Sequence, residues 1–270
     1  MTDYTIERGL GVRDRMDLLA AVFAPSTLAL LDAVAVPSSA RCLDVGCGGG
    51  HIAIELGRRV GPAGRVVGID LDTALLEVAR TEAVSQGLDH VVFRVGAVED
   101  LAESGFDLAC ARMLLMHLRD PASVTRSMVA AVRPGGTVAV EDLNFSGSFT
   151  YPACPAYDRR VAWYRETVRR RGGDADIGLR LPALLSSAGL TDIRVRVVQP
   201  AFLDGPHKHL QEVSMLKQKA AVVAAGVASA DDYDTAHAEL AAFTADPTTL
   251  VAAPRLIQAW GRRPGRSTSY

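Results

Sequence analysis

Leu43-Asp44-Val45-Gly46-Cys47-Gly48-Gly49-Gly50 follows a short β-rich run at 42–45 and opens a helical one at 51–60. Glycine is needed where backbone turns tightly and a ligand must come close to it. Amides left free at the start of the helix favour an electronegative group on that ligand. A dinucleotide-binding loop would seat a pyrophosphate with the spacing G-x-G-x-x-G. Here the last glycine of that pattern would fall on His51, and the spacing is G-x-G-x-G, at Gly46, Gly48 and Gly50. Asp44, two residues ahead of the first glycine, opposes a bound phosphate but suits an ammonium group. Both features argue against a nicotinamide-dinucleotide dehydrogenase.

Moving outward, the next β-rich run ends in Val67-Gly68-Ile69-Asp70. A carboxylate at that strand end can accept both hydroxyl hydrogens of a ribose. The pair of acids then describes an adenosine-like ribose joined to a cationic, phosphate-free tail. S-adenosylmethionine fits that description. Taken singly, each feature has a plainer reading, a tight strand–helix turn for the glycines and a helix cap for the aspartate.

The same alternation continues along the chain. β-rich runs at 66–69, 91–95, 108–111 and 138–140 alternate with helical patterns at 73–86 and 121–132. Strands separated by helices pair in parallel through right-handed crossovers, which predicts an α/β fold with a doubly wound sheet. Gly61-Pro62, Gly87 and Pro134-Gly135-Gly136 fall where elements must stop. Upstream, 12–35 reads as helical with a break at Pro25. Downstream, 144–173 reads as a loop and then a helix with Tyr157, Val161, Tyr164 and Val168 on one face. A helix at 181–188, a strand at 193–198, helices within 208–226 and 231–245, a short strand at 257–260 and a frayed tail from 262 complete the pattern. Ser229 and Asp232 suggest a capping box, and Arg169 to Arg171 before Gly172 suit a helix C-terminus.

The totals set outer bounds. A chain of 270 residues, 49% hydrophobic and 22% charged, can form an ordinary core without staples. Its net charge of −2 offers no basic face for nucleic acid. Cys42, Cys47, Cys110 and Cys154 form no C-x-x-C pair, so neither a zinc nor a redox motif is expected, and a reducing cytoplasm is the default. The N-terminus lacks the apolar stretch of a secretory signal, and no run is apolar enough for a membrane span.

These motifs resemble class I S-adenosylmethionine-dependent methyltransferases, specifically the ubiquinone/menaquinone-methyltransferase-like group that acts on small molecules. The resemblance covers roughly 4–142 and, more loosely, 254–264. Besides the two acid-bearing loops it includes Phe106-Asp107-Leu108, Leu115-Met116-His117-Leu118-Arg119-Asp120-Pro121 and Val132-Arg133-Pro134-Gly135-Gly136. It implies a Rossmann-like, mostly parallel seven-stranded sheet with an antiparallel last strand and helical cap insertions after strands five and six. The expected organisation is one domain over 1–264: N-terminal helices in 1–40, a cofactor-binding half in 41–142, insertions in 143–180 and 203–250. A flexible tail at 265–270 would follow. The resemblance places Asp44, Gly46, Cys47 and Gly48 against the methionine part of S-adenosylmethionine, and Asp70 with Leu71 at the ribose. Family members usually carry an acid after the third strand for the adenine amino group. Here Gly96-Ala97-Val98-Glu99 has alanine where aspartate is expected, leaving the Ala97 and Val98 backbone or Glu99. Arg15 resembles an arginine that pairs with the ligand carboxylate, and a solvated helix charge is the other reading.

Methyl transfer from a sulfonium is an in-line displacement that chiefly needs alignment and exclusion of water. No metal is demanded, although an oxygen or carbon acceptor can need a base. Strand ends four and five bring Arg112, Met113, His117 and Glu141 near the methyl group. His117 is the candidate base by type, with a loop-fixing hydrogen bond as the alternative; Glu141 is a second candidate, or a capping acid. Phe145, Phe149, Tyr151, Tyr157, Trp163 and Tyr164 are six of the chain's 15 aromatics, packed directly after strand five. They read as the wall of an apolar pocket, as a core for the insertion helices, or as both. Phe145, Tyr151, Tyr157, Tyr164 and His207 are the candidate acceptor contacts, although His207 beside Lys208 and His209 also reads as a solvated helix start. The expected partner is a small, largely apolar or aromatic methyl acceptor, and a homodimer is compatible with this. Two rivals remain: a non-methylating binding protein of the same fold, and a nucleic-acid methyltransferase. Ala111-Arg112-Met113-Leu114, in place of an Asn/Asp-Pro-Pro-aromatic tetrapeptide, speaks against the latter.

Overall fold

The computed structural model describes residues 13–265, with side chains from Leu18 onward. The first half of the chain gives α1 (Arg13–Val34), β1 (Arg41–Val45), α2 (His51–Val60), β2 (Arg65–Asp70), α3 (Thr73–Ser85), β3 (Val91–Val95), β4 (Phe106–Arg112) and α4 (Pro121–Ala131). Then come β5 (Val132–Asn144), β6 (Phe149–Tyr151), α5 (Pro155–Arg170), α6 (Leu181–Ser187) and β7 (Thr191–Val198). The chain closes with β8 (Ala201–Phe202), α7 (Leu210–Ala224), α8 (Ala230–Ala245), β9 (Leu250–Ala252) and β10 (Arg255–Arg262).

Seven strands form one sheet in the order β3-β2-β1-β4-β5-β10-β7. β1 to β5 pair in parallel, and β10 runs antiparallel to β5 and β7. This is the expected doubly wound sheet, and its order reverses between β1 and β4. A crevice opens at that switch point, beyond the carboxyl ends of the strands. Strands of such a sheet are covered on both faces and read as apolar runs. On β1, Leu43 and Val45 pack in one core with Phe23 and Met128. Cys42 packs in the other, with Ile54, Leu56 and Leu76.

A third core joins Tyr157 of α5, Met215 and Val222 of α7, and Tyr233 and Leu240 of α8. These helices follow β5 and β7 in the chain, and a small antiparallel sheet, β6-β9-β8, accompanies them. No helix among the described residues is long and apolar enough to cross a membrane.

Three expectations about elements are corrected. α1 runs unbroken through Pro25. Buried Phe23 on one side and Leu30 and Leu31 on the other anchor the helix across the missing hydrogen bond, so tertiary packing outweighs the local break. Pro134-Gly135-Gly136 does not end an element but lies inside β5, at a register shift against β4. There Gly135 takes φ +78°, and its N–H donates to the Arg263 carbonyl while the Arg263 N–H donates to Gly136. For that reason 262–263 is not frayed. Arg262 ends β10, and the Arg263 guanidinium donates to the carbonyls of Val129, Ala130 and Val132. Residues 266–270, the rest of the expected tail, lie outside the described residues. The cap at Ser229 is present: its hydroxyl accepts from the Asp232 N–H at 3.0 Å.

Candidate active site

A cavity of about 180 Å³ opens at the carboxyl ends of β1, β2, β4 and β5. α1, α5 and α7 complete its wall through Phe23, Tyr164 and Leu210 among others. A side cleft of about 60 Å³ shares Gly46, Asp70 and Leu114 with it and is floored by Leu71, Ala97, Val98 and Glu99.

The glycine loop is pinned to the neighbouring strand, with the N–H groups of Gly46 and Cys47 both donating to the Ile69 carbonyl. Gly46 sits at φ +69°, and a Cβ there would lie 2.8 Å from Leu114 Cδ1. The backbone conformation favours glycine there, and any side chain would also make Leu114 shift. Asp70 accepts from the Gly48 N–H at 2.8 Å and from the Asp72 N–H at 2.9 Å. Each carboxylate oxygen has capacity for a further bond. Asp72 caps α3 by accepting from the Ala74 and Leu75 amides.

Asp44 is buried at the floor of the cavity. Cys110 Sγ lies 3.7 Å from its Oδ1, while Oδ2 has no hydrogen-bond partner among the described residues. Burial pushes its carboxyl up to about 7, although the nearby Arg112 cation pulls the other way.

Beyond β4, Met113 takes a left-handed φ of +51°, a strained conformation for a side chain of its kind. Its N–H donates to the Glu141 carbonyl at 2.8 Å. This bend carries Arg112, Met113 and Leu114 into the cavity wall. His117 ends the following short turn, Leu115–His117, and also lines the cavity. Asp142 fixes that turn from β5: its Oδ2 accepts from the Met116 N–H at 3.1 Å and Oδ1 from the Leu143 N–H at 2.9 Å.

Glu141 sits elsewhere. It is buried and accepts from the Thr27 hydroxyl at 2.5 Å and the Gln258 amide at 2.7 Å, with Arg112 Nε 3.9 Å away. It is absent from the cavity lining. Its contacts hold Arg112 from behind. Burial raises its carboxyl above the usual range, while Arg112, Thr27 and Gln258 pull it down.

The sequence of residues 37–168 matches the profile of the family described as "Methyltransferase domain". This stretch, just under half of the chain, is similar to a methyltransferase domain. Over 123 residues it is 38% identical to the ubiquinone biosynthesis O-methyltransferase of Paracidovorax citrulli, covering 44% of this chain and 50% of that protein. It is 41% identical over 107 residues to the enzyme of the same name from Alkalilimnicola ehrlichii, covering 38% and 42%. The chain thus spans about half the length of the curated relatives it matches. A solved structure from Bacillus halodurans shares the fold at 19% identity, covering 88% of this chain and 98% of that one, with a TM-score of 0.60. So does phosphoethanolamine N-methyltransferase 2 of Haemonchus contortus, solved with S-adenosyl-L-methionine, at 17% identity, 93% and 57% coverage and a TM-score of 0.56.

Within the matched segment the expected cofactor residues fall together. Asp44, Gly46, Cys47, Gly48, Asp70, Arg112 and Met113 line the cavity, and Leu71, Ala97 and Val98 line the side cleft. The Arg15 side chain lies outside the described residues. The aromatics divide. Phe145 and Tyr164 reach the cavity. Tyr157 is buried in the third core, its hydroxyl donating to the Ala252 carbonyl at 2.7 Å. Tyr151 is 73% exposed on β6. His207 packs on Phe202, with ring centroids 5.5 Å apart, away from the cavity wall.

Arg160, Gln211 and Ser214 line the cavity without having been singled out in the sequence. A signal for Arg160 was present. It lies three residues after Tyr157 and four before Tyr164, inside the apolar stripe of α5.

Proposed function

We propose that the protein binds S-adenosylmethionine in this cavity and transfers its methyl group to an oxygen, nitrogen or carbon of a small molecule. The observation that carries the reading is the unpartnered Oδ2 of Asp44 on the cavity floor. An ionised carboxylate there is poorly solvated and finds its match in an ammonium group. Asp70, one strand over, keeps acceptor capacity for the ribose hydroxyls. Arg112 supplies the cation for the carboxylate of the methionine part. The side cleft suits the adenine, with Leu71 and Val98 as apolar contacts and the Ala97 backbone or Glu99 as polar ones.

When bound, the sulfonium supplies an already activated methyl group. The chain's own contribution is alignment and dryness. Leu19, Phe23, Leu143, Phe145 and Tyr164 surround the acceptor end with apolar surface. For an acceptor that must lose a proton, His117 is our candidate base; His51 is a second imidazole on the same cavity wall. Asp142 is a positioning residue, since it holds the turn that aims His117. Glu141 positions Arg112 and is not the base. The helices after β5 and β7 are read as the cap over the acceptor, completing one domain. Four free thiols fit a reducing compartment.

Incubation with S-adenosylmethionine labelled in the methyl group, against a panel of small hydroxylated and amino compounds, tests the reading. Label should move to one chemical class and His117→Ala should slow it at least tenfold. Cofactor binding with no transfer to any compound would instead favour the non-methylating protein.

A further inference from the structure

On α5, the Arg160 side chain is 2% exposed yet lines the cavity. Its Nε and Nη1 have no hydrogen-bond partner among the described residues. The guanidinium carbon lies 5.7 Å from the Phe145 ring centre and 5.9 Å from that of Tyr164. Those rings give it faces to rest on.

Among the described residues, none of the cavity's acids is recorded as bonded to Arg160. Asp44 sits under the glycine loop, Asp70 bonds to the Gly48 and Asp72 amides, and Asp72 caps α3. Burial lowers the affinity of Arg160 for its proton, with Tyr157, Tyr233 and Tyr164 opposing, but an arginine remains charged under these conditions. A buried charge without a partner is strongly unfavourable. Among the described residues, no carboxylate forms an ion pair with this cation, and two of its nitrogens lack a hydrogen-bond acceptor. Opposite, α7 presents Gln211 and Ser214 to the same cavity. One turn further on that helix lies Gln218, whose buried amide nitrogen and oxygen likewise have no hydrogen-bond partner among the described residues.

We propose that Arg160 binds a carboxylate on the methyl acceptor, assisted by Ser214 and Gln211, so that the substrate is a small, largely apolar organic acid. The inference rests on the reading of the cavity as a methyl-transfer site. A carboxylate balances the single guanidinium charge one to one. A phosphate monoester would leave an extra negative charge in a cavity already lined by three aspartates. Arginine also presents its donors in a plane that matches a carboxylate. The cation is carried by α5, a separate element from the strand ends that hold Asp44 and Asp70.

The test is calorimetric titration of the full chain, saturated with S-adenosylhomocysteine, with benzoate, benzamide and phenyl phosphate. Benzoate should bind at least tenfold more tightly than benzamide, with phenyl phosphate no tighter than benzoate. Arg160→Gln should bring benzoate and benzamide within about twofold while leaving S-adenosylhomocysteine affinity unchanged. A purely structural arginine would alter stability without this change in preference. Equal binding of benzoate and benzamide by the wild type overturns the proposal, and that comparison needs no variant. So does a preference that survives in Arg160→Gln, or a tenfold preference for phenyl phosphate. If S-adenosylhomocysteine fails to bind while the benzoate preference holds without it, the cofactor reading falls and the anion site stands.

Discussion

A carboxyl group sealed beneath a strand end, as Asp44 is, costs stability when ionised unless a cation reaches it. With its carboxyl pushed up to about 7 by burial, ligand binding through an ammonium group must release a proton below neutrality. S-adenosylhomocysteine affinity should therefore fall about tenfold per pH unit between 7 and 5 and level off above 8. Calorimetry across that range checks this, and a flat profile would remove Asp44 from the ammonium site. The linkage has the opposite consequence for the free protein. Asp44 holds a proton in the folded chain that it loses in the unfolded one, so its stabilising contribution is complete below about pH 4 and gone above 7. Asp142, also pushed up to about 7 by burial, acts in the same direction. The melting temperature without ligand should accordingly drop from pH 5 to 8. Asp44, Gly46 and Asp70 were legible in the sequence because loop and strand-end contacts have fixed spacings. For Arg160 the sequence offered only its place inside an apolar helical stripe, which does not tell a cavity from solvent. Tyr151 and Tyr157 show the same blindness, one exposed and one packed against α7 and α8. Glu141 looked like a base until its distant partners, Thr27 and Gln258, came into contact with it.

At the scale of elements, the carboxyl ends of β1, β2, β4 and β5 carry the site, and the helices serve to hold those ends. Period and turn chemistry located most of these elements within a residue or two, since each strand of the parallel sheet is a compact apolar run between glycine-rich turns. They failed where long-range contacts decide. Pro25 reads locally as a break, yet Phe23, Leu30 and Leu31 keep α1 intact around it. Its ring removes a backbone donor from the helix interior. Pro25→Ala should restore that bond and, at this exposed position, raise the unfolding free energy by at least ~1 kcal/mol. Chemical denaturation is the check; a destabilised variant would mean that a bend at Pro25 is needed for α1 to pack on both cores. The β5 bulge at Pro134-Gly135-Gly136 was hidden for a similar reason, its partner being Arg263 at the far end of the chain.

Across the described residues there are three cores, and the first two reach the cavity wall, through Phe23 and Phe145 and through Cys47 and Ile52. Two lie on opposite faces of the sheet and hold the strand ends that face the cofactor. The third, built by α5, α7 and α8, carries Tyr157 and Tyr233 behind the wall that faces the acceptor. In the proposed reading the cofactor and acceptor walls come from different parts of the chain, and the matched methyltransferase segment ends within α5. This division explains why the cofactor was readable from motifs while the acceptor emerged only from packing. The central claim is that Asp44 and Asp70 form a sulfonium-nucleoside site at adjacent strand ends. Its most direct test is a calorimetric titration with S-adenosylhomocysteine at pH 8 of the wild type and of Asp70→Ala. Saturable one-to-one binding, weakened at least tenfold by the substitution in a protein that remains folded, is the expected result. No binding to the wild type, or equal affinity in both, would contradict it.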